Sequence, residues 1–253
     1  VLHGFGGRRQ SFTDVFRRMQ LPKTAVLLLN APQELPSELL DDPPGYSWFT
    51  MFTEDFNFIT EQSGCETRLR SLERTCAAVE ELFQVLVDCG WKPGEIFLFG
   101  YGQGGTAALE VVSRPGAMSS FEARLGAVVG VATEVLPERL RQWKQGSKGP
   151  TLRCEAVLLI HGEEDEITGE GAARLSAEYL EMRGQGVVQL QIFQGRGGEM
   201  LRGNSAEEMR CFMEFLSNYL HGVGRRGSEE AMQRLGAEPV VTFEETTWLS
   251  QMD

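Results

Sequence analysis

Ile96-Phe97-Leu98-Phe99-Gly100-Tyr101-Gly102-Gln103-Gly104-Gly105-Thr106-Ala107-Ala108-Leu109 runs from bulky apolar residues through a glycine-rich turn into small residues. The apolar start suits a strand covered on both faces. The glycines suit a tight reversal, and the small residues suit a helix packed on that strand. The same apolar texture recurs at Thr24 to Asn30, Leu125 to Ala132, Cys154 to His161 and Val187 to Phe193. With Glu95 to Phe99 these segments read as five strands rich in Val, Ile and Leu, as parallel strands between helical layers are.

Helical patterns fill the intervals. Leu69, Leu72, Cys76, Val79, Phe83 and Leu86 recur every three or four residues and place one apolar stripe on a long helix. Gly90 ends it, and Pro93-Gly94 lead into the next strand. Ser205-Ala206-Glu207-Glu208 reads as a capping box ahead of the stripe Met209, Phe212, Met213, Leu216 and Leu220. Alternating strands and helices predict an α/β fold, a mostly parallel central sheet with helices on both faces.

The 253 residues suit one domain with a tail. We place the domain at 1–221, with a lid-like, Pro-rich and aromatic loop at 31–62, and an acidic, Gly-rich tail at 222–253, mobile or loosely docked. Val1-Leu2-His3-Gly4 reads as the end of a strand that starts upstream, so the N-terminal strand is expected to be truncated. The formal net charge of −12 argues against nucleic acid and anionic membrane surfaces, which select clustered Lys and Arg. No run approaches the length of a transmembrane segment. The five cysteines form no CxxC pair and no metal-like cluster with histidine, which suits a reducing, cytoplasmic setting.

Ligands of open parallel sheets bind at the carboxyl ends of the strands. Four motifs fall there: His3 to Gly7, Gly100 to Gly105, His161 to Asp165, and Gln194 to Met200. The second has the layout of a nucleophile elbow, G-x-S-x-G, with Gly102 where the serine would stand.

The matches HGFGG at His3 to Gly7, Trp48-Phe49 in the loop, FGYGQGG at Phe99 to Gly105, HGEEDEI at His161 to Ile167 and GRGGEM at Gly195 to Met200 occur in one order. In them the chain resembles the acyl-protein thioesterase and carboxylesterase family of α/β-hydrolases, over roughly residues 1 to 220. The resemblance implies the α/β-hydrolase fold and hydrolysis of esters or thioesters of long acyl chains. It implies no metal or organic cofactor, and an acyl or lipid ligand or an acylated protein as partner. It places the nucleophile at Gly102, the base at Gly198, the acid at Asp165, and the oxyanion donors at the backbone N–H groups of Phe5 and Gln103. Two of these five positions are glycine, which can neither attack a carbonyl nor carry a proton. The chain is therefore expected to be a silenced hydrolase that binds a partner or an acyl ligand, with Trp48 and Phe49 as substrate-binding candidates.

Two rival functions stand beside this one. The first is an active carboxylesterase or acyl-protein thioesterase working with displaced groups. Among its candidates, Ser47, Cys65 and Ser119 lack the elbow's context; His3 and His161 read as structural, and His221 as solvated. The second is a nucleotide-binding module, since Gly100 to Gly105 also spells G-x-G-x-x-G; it lies far from the N-terminus, and Glu134 comes late for the acidic partner. Asp165 also reads as a cap for a helix starting near Thr168, the loop aromatics as core, and Arg196 as a solvated side chain.

Overall fold

A computed structural model describes residues 1–21, 23–36, 45–60, 64–118, 124–146, 151–184, 186–199, 201, 205–220 and, by backbone alone, 240–242. A short 3₁₀ turn, Arg9–Phe12, leads into α1 (Thr13–Met19) and β1 (Val26–Leu28). Then come β2 (Gln33–Glu34), β3 (Tyr46–Ser47), α2 (Cys65–Asp88), β4 (Phe97–Tyr101), α3 (Gln103–Ser113) and β5 (Leu125–Val131). The chain continues through α4 (Pro137–Lys144), β6 (Cys154–Gly162), α5 (Glu170–Glu181), β7 (Val187–Phe193), α6 (Ala206–Tyr219) and β8 (Val240–Thr242).

β4, β5, β6 and β7 form a parallel sheet in that order, with Gly100 opposite Gly130, Val129 opposite Leu158 and His161 opposite Ile192. β1 pairs in parallel with β8, which lies inside the stretch read as a tail. Residues 222–239 and 243–253 of that stretch lie outside the described residues. Leu2 joins the two sheets: its N–H donates to Phe99 O at 2.8 Å, its carbonyl accepts from Tyr101 N at 3.0 Å, and it also bridges Leu29. The expected parallel α/β architecture is therefore present, an α/β-hydrolase fold.

Alternation along the strands builds two cores. Phe99, Val129, Val131, Leu158 and Ile160 point to one face, where Phe16 of α1 and Phe212, Phe215 and Leu216 of α6 cover them. Leu98, Val128, Val157 and Leu159 point to the other, against α2, α3 and α5. β7 departs from the near-continuous burial expected of it. Its residues alternate between exposed and half-buried up to Phe193 because it is the edge strand, covered on one face only.

The helix boundaries follow local chemistry. The α2 stripe buries Leu72, Cys76, Val79, Phe83 and Leu86. Gly90, at φ +103°, closes the helix: its N–H bonds to Val87 O at 2.8 Å, and Trp91 N–H to Leu86 O at 3.1 Å. That is a Schellman stop, which needs the left-handed residue glycine supplies. Ser205 caps α6 by accepting from Glu208 N–H at 3.3 Å. The reciprocal half of the capping box is replaced, because Glu208 is drawn to Leu201 N–H at 3.0 Å and Arg196 Nε at 3.1 Å.

Candidate functional site

The elbow is built from close approaches. A β-carbon on Gly100 or Gly104 would strike neighbouring backbone, and one on Gly105 would stand 2.6 Å from Thr133 Cβ. These three positions admit glycine alone, because α3 packs directly on β4 and on the Leu2–His3 backbone. Gly102 differs. A β-carbon there would meet Gly4 Cα at 3.8 Å and Ala132 O at 3.9 Å, ordinary contacts. Its φ of +51° and ψ of −120° hold the strained strand-to-helix turn all the same. The turn is pinned by Gly102 N–H to Val131 O at 2.8 Å and Thr106 N–H to Gly102 O at 3.1 Å. The turn thus keeps the backbone of the elbow, with room for a side chain at Gly102.

Of the three glycines in the G-x-G-x-x-G pattern, Gly100 and Gly105 pack against the protein's own chain and Gly102 does not.

Asp165 follows β6 and is 5% exposed. Its Oδ1 accepts from Ile167 N–H at 2.9 Å and Thr168 N–H at 3.0 Å. The carboxylate therefore holds a turn, while α5 begins later at Glu170 behind Gly169, so the reading of Asp165 as that helix's cap is corrected. Oδ2 is buried without a hydrogen-bond partner among the described residues. Gly198 lies against this carboxylate. Asp165 and Gly198 are thus neighbours, although they come from different loops.

Gln103, the first residue of α3, uses its side chain to moor the loop. Its Oε1 accepts from Trp48 N–H at 2.8 Å, and its Nε2 donates to Phe49 O at 2.8 Å and Ser47 Oγ at 2.9 Å. Its own N–H starts the helix, where no intrahelical carbonyl reaches it. Phe5 lies one residue beyond Gly4, the closest neighbour of a side chain at Gly102. Trp48 and Phe49 are 0% and 1% exposed and sit in the larger core, with Trp48 Nε1 donating to His3 O at 2.7 Å.

The substitute candidates are accounted for locally. The Ser47 hydroxyl donates to Phe49 O at 2.7 Å. His3 lies between Ala31 N–H, which donates to Nε2 at 3.0 Å, and Gly4 O, 2.7 Å from Nδ1. His161 is fully buried, with neither ring nitrogen hydrogen-bonded among the described residues. Burial pushes both imidazoles down to about 4; Gly4 O opposes this at His3, and the Asp165 charge opposes it at His161. Cys65 is half-buried at the start of α2. Ser119, His221 and Met200 lie outside the described residues, as do 37–44 and 61–62 of the loop. Arg196 is not simply solvated, since Glu208 holds it.

Sequence reasoning missed two neighbours of the site. Tyr101 donates its hydroxyl to Gly198 O at 2.6 Å. Glu134 lies near Arg68, Glu138 and Asp165, and burial raises its carboxyl above the usual range. Neither belongs to a periodic pattern; Tyr101 stands inside the Gly100 to Gly105 motif, and Glu134 drew notice only as a late acidic residue after β5. Among the described residues no His, Cys, Asp and Glu cluster suits a metal ion, and no helix is long and apolar enough to cross a membrane. An apolar cavity of about 140 Å³ lies elsewhere, at the amino ends of β1 and β4 beside Val26 and Phe97.

This fold and the ordered strand-end motifs define an α/β-hydrolase. Residues 1–220 match the phospholipase/carboxylesterase family, and the chain belongs to it. An uncharacterized hydrolase of Mycosarcoma maydis is 35% identical over 115 residues, 44% of this chain and 40% of that protein. An uncharacterized hydrolase of Schizosaccharomyces pombe is 30% identical over 109 residues, 43% of each. The match thus spans less than half of these relatives' length. Arabidopsis thaliana SOBER1 shares the fold at TM-score 0.62 and 17% identity, over 87% of this chain and 96% of its own. Zea mays acyl-protein thioesterase 2 does so at 0.54 and 19%, over 87% and 91%.

Proposed function

We propose that this chain is a silent member of its hydrolase family, one that holds an acyl group or an acylated protein without cleaving it. The observation that carries the reading is Gly102, an intact elbow with no atom to attack. Gly198 deepens it: among the described residues no side chain hydrogen-bonds Oδ2 of Asp165, so a proton taken from a nucleophile finds no relay there. Acyl transfer needs nucleophile and base as a unit, and losing either from a serine hydrolase costs about 10⁶ in turnover. The oxyanion donors assigned to the Phe5 and Gln103 backbones need no side chain, so recognition of a carbonyl outlasts the loss. The free cysteines fit a reducing, cytoplasmic setting.

The test is turnover of p-nitrophenyl esters and acyl thioesters, together with labelling by a fluorophosphonate probe. The expected result is background hydrolysis and no adduct. A covalent adduct on a residue of the cleft overturns the proposal in favour of displaced catalytic groups. The room at Gly102 gives that second reading its one support. Gly102→Ser with Gly198→His measures how much of the machinery survives: strong hydrolysis means the silencing is confined to two side chains.

A further inference from the structure

The edge strand β7 reads almost alike in both directions. Val187-Val188-Gln189-Leu190-Gln191-Ile192-Phe193 sets a glutamine on either side of Leu190 and apolar residues beyond each glutamine. Edge strands are normally blunted by lysine, proline, a bulge or a covering element, because their open backbone accepts other strands. β7 carries no charge and no proline. Its register with β6 runs unbroken from Ala156 opposite Val187 to Gly162 opposite Phe193, and among the described residues no strand pairs with its outer side.

The inner side fixes which groups are open. Phe193 O accepts from Glu163 N–H at 2.9 Å, so Phe193 turns its backbone toward β6. Backbone direction alternates along a strand, so Val188, Leu190 and Ile192 turn their N–H and C=O groups outward. Gln191 Nε2 donates to one of these, Ile192 O, at 3.3 Å on the exposed surface. The side chains of the same three residues are only half-buried. Beside them a groove of about 480 Å³ is left between Leu190, Ile192 and the α5 stripe Arg174, Ala177, Glu178 and Glu181. The stripe begins with an exposed cation and ends with exposed carboxylates.

We propose that β7 is a homodimer interface, where a second copy of this chain adds its own β7 antiparallel across a two-fold axis at Leu190. Leu190 then meets its own counterpart, Val188 meets the partner's Ile192, and Gln189 meets the partner's Gln191. Each outward N–H and C=O gains a partner in this register. The two α5 helices run antiparallel on one face, so Arg174 lies toward the partner's Glu181, and apolar side chains of both copies enter the groove. Glu178 falls nearer the axis and repels its counterpart, which keeps the association reversible. Any strand could use the open backbone. Only a strand with this palindromic order also matches the side chains, and an isologous contact supplies one. The inference is independent of whether Gly102 silences the chain.

The test is sedimentation of the full chain between about 1 and 100 μM, a range suited to small interfaces. The mass is expected to rise toward that of two chains, while amide exchange at Leu190 slows at least about fivefold from the lowest to the highest concentration. Gln189→Lys with Gln191→Lys sets like charges opposite each other, so it weakens the dimer at least about tenfold and leaves the melting temperature of dilute protein unchanged. Gln189→Glu with Gln191→Glu weakens it alike, and mixing the two variants restores a dimer containing one chain of each. Gln189→Lys with Gln191→Glu keeps its dimer, because the antiparallel register brings unlike charges together. A chain that stays monomeric throughout, a dimer that survives the paired lysines, or a mixture that stays monomeric each overturns the proposal. So does loss of the dimer in Gln189→Lys with Gln191→Glu, which means another register. Slow exchange at Leu190 at every concentration means that another segment of the chain covers the edge, and it overturns the proposal as well.

Discussion

The Tyr101 hydroxyl donates to the Gly198 carbonyl at 2.6 Å, linking the end of β4 to a loop 97 residues later. The residue just before Gly102 thus holds the loop that carries Gly198. Tyr101→Phe removes that bond and leaves a carbonyl to find water, at a cost of about 1 kcal/mol. Amide exchange in residues 195–199 is expected to quicken while β5 and β6 stay protected. Unchanged exchange in that loop refutes the link.

A β-carbon on Gly198 would stand 3.0 Å from Asp165 Oδ1 and 3.1 Å from Oδ2. The loop has settled so near the acid that any side chain must push it away. Gly198→Ala is expected to lower stability by about 1 kcal/mol, the scale of a core overpacked by one methyl. Gly102→Ala makes only ordinary contacts, with Gly4 and Ala132, so only its backbone conformation opposes it. Denaturant midpoints for the two variants check this; a Gly198→Ala protein as stable as the parent means the loop is free to move.

Gln103 is a mooring post whose loss leaves buried partners behind. Gln103→Ala strands Trp48 N–H and takes one of two donors from Phe49 O, which keeps the Ser47 hydroxyl, and a buried orphan costs about 1–3 kcal/mol. We expect a drop of about that size in unfolding free energy, or a loop that becomes open to limited proteolysis. Neither effect would mean that the loop is held by its core aromatics instead.

Acid should unfold this protein in a defined window. His3 and His161 titrate near 4 when folded against about 6.5 when unfolded. Above that unfolded value both states are neutral and stability is complete. As pH falls from about 6.5 toward 4 the unfolded chain takes up protons that the folded one refuses, costing at most roughly 3 kcal/mol per histidine. His161→Leu removes one titration and an imidazole with no hydrogen-bond partner among the described residues, so it should flatten the acid limb and raise the neutral-pH melting temperature. An acid limb unchanged in that variant refutes the assignment to His161.

Much of the architecture was legible along the chain. Five apolar runs became β1, β4, β5, β6 and β7, because strand period and near-continuous hydrophobicity are local properties. The α2 stripe and its Gly90 stop were equally plain. The strand Val240–Thr242 was not, since three residues inside a polar stretch carry no period of their own.

The sequence by itself determined the order of the strand-end motifs and the chemical fact at Gly102 and Gly198, because the identity of a side chain needs no fold to be known. Only the tertiary structure decided that Gly198 presses on Asp165, that one carboxylate oxygen there lacks a partner among the described residues, that Gln103 ties down Trp48, and that Glu208 turns from its own cap to Arg196. Those relations join residues tens of positions apart, and the packing of helices on a twisted sheet, which no local pattern encodes, sets their distances.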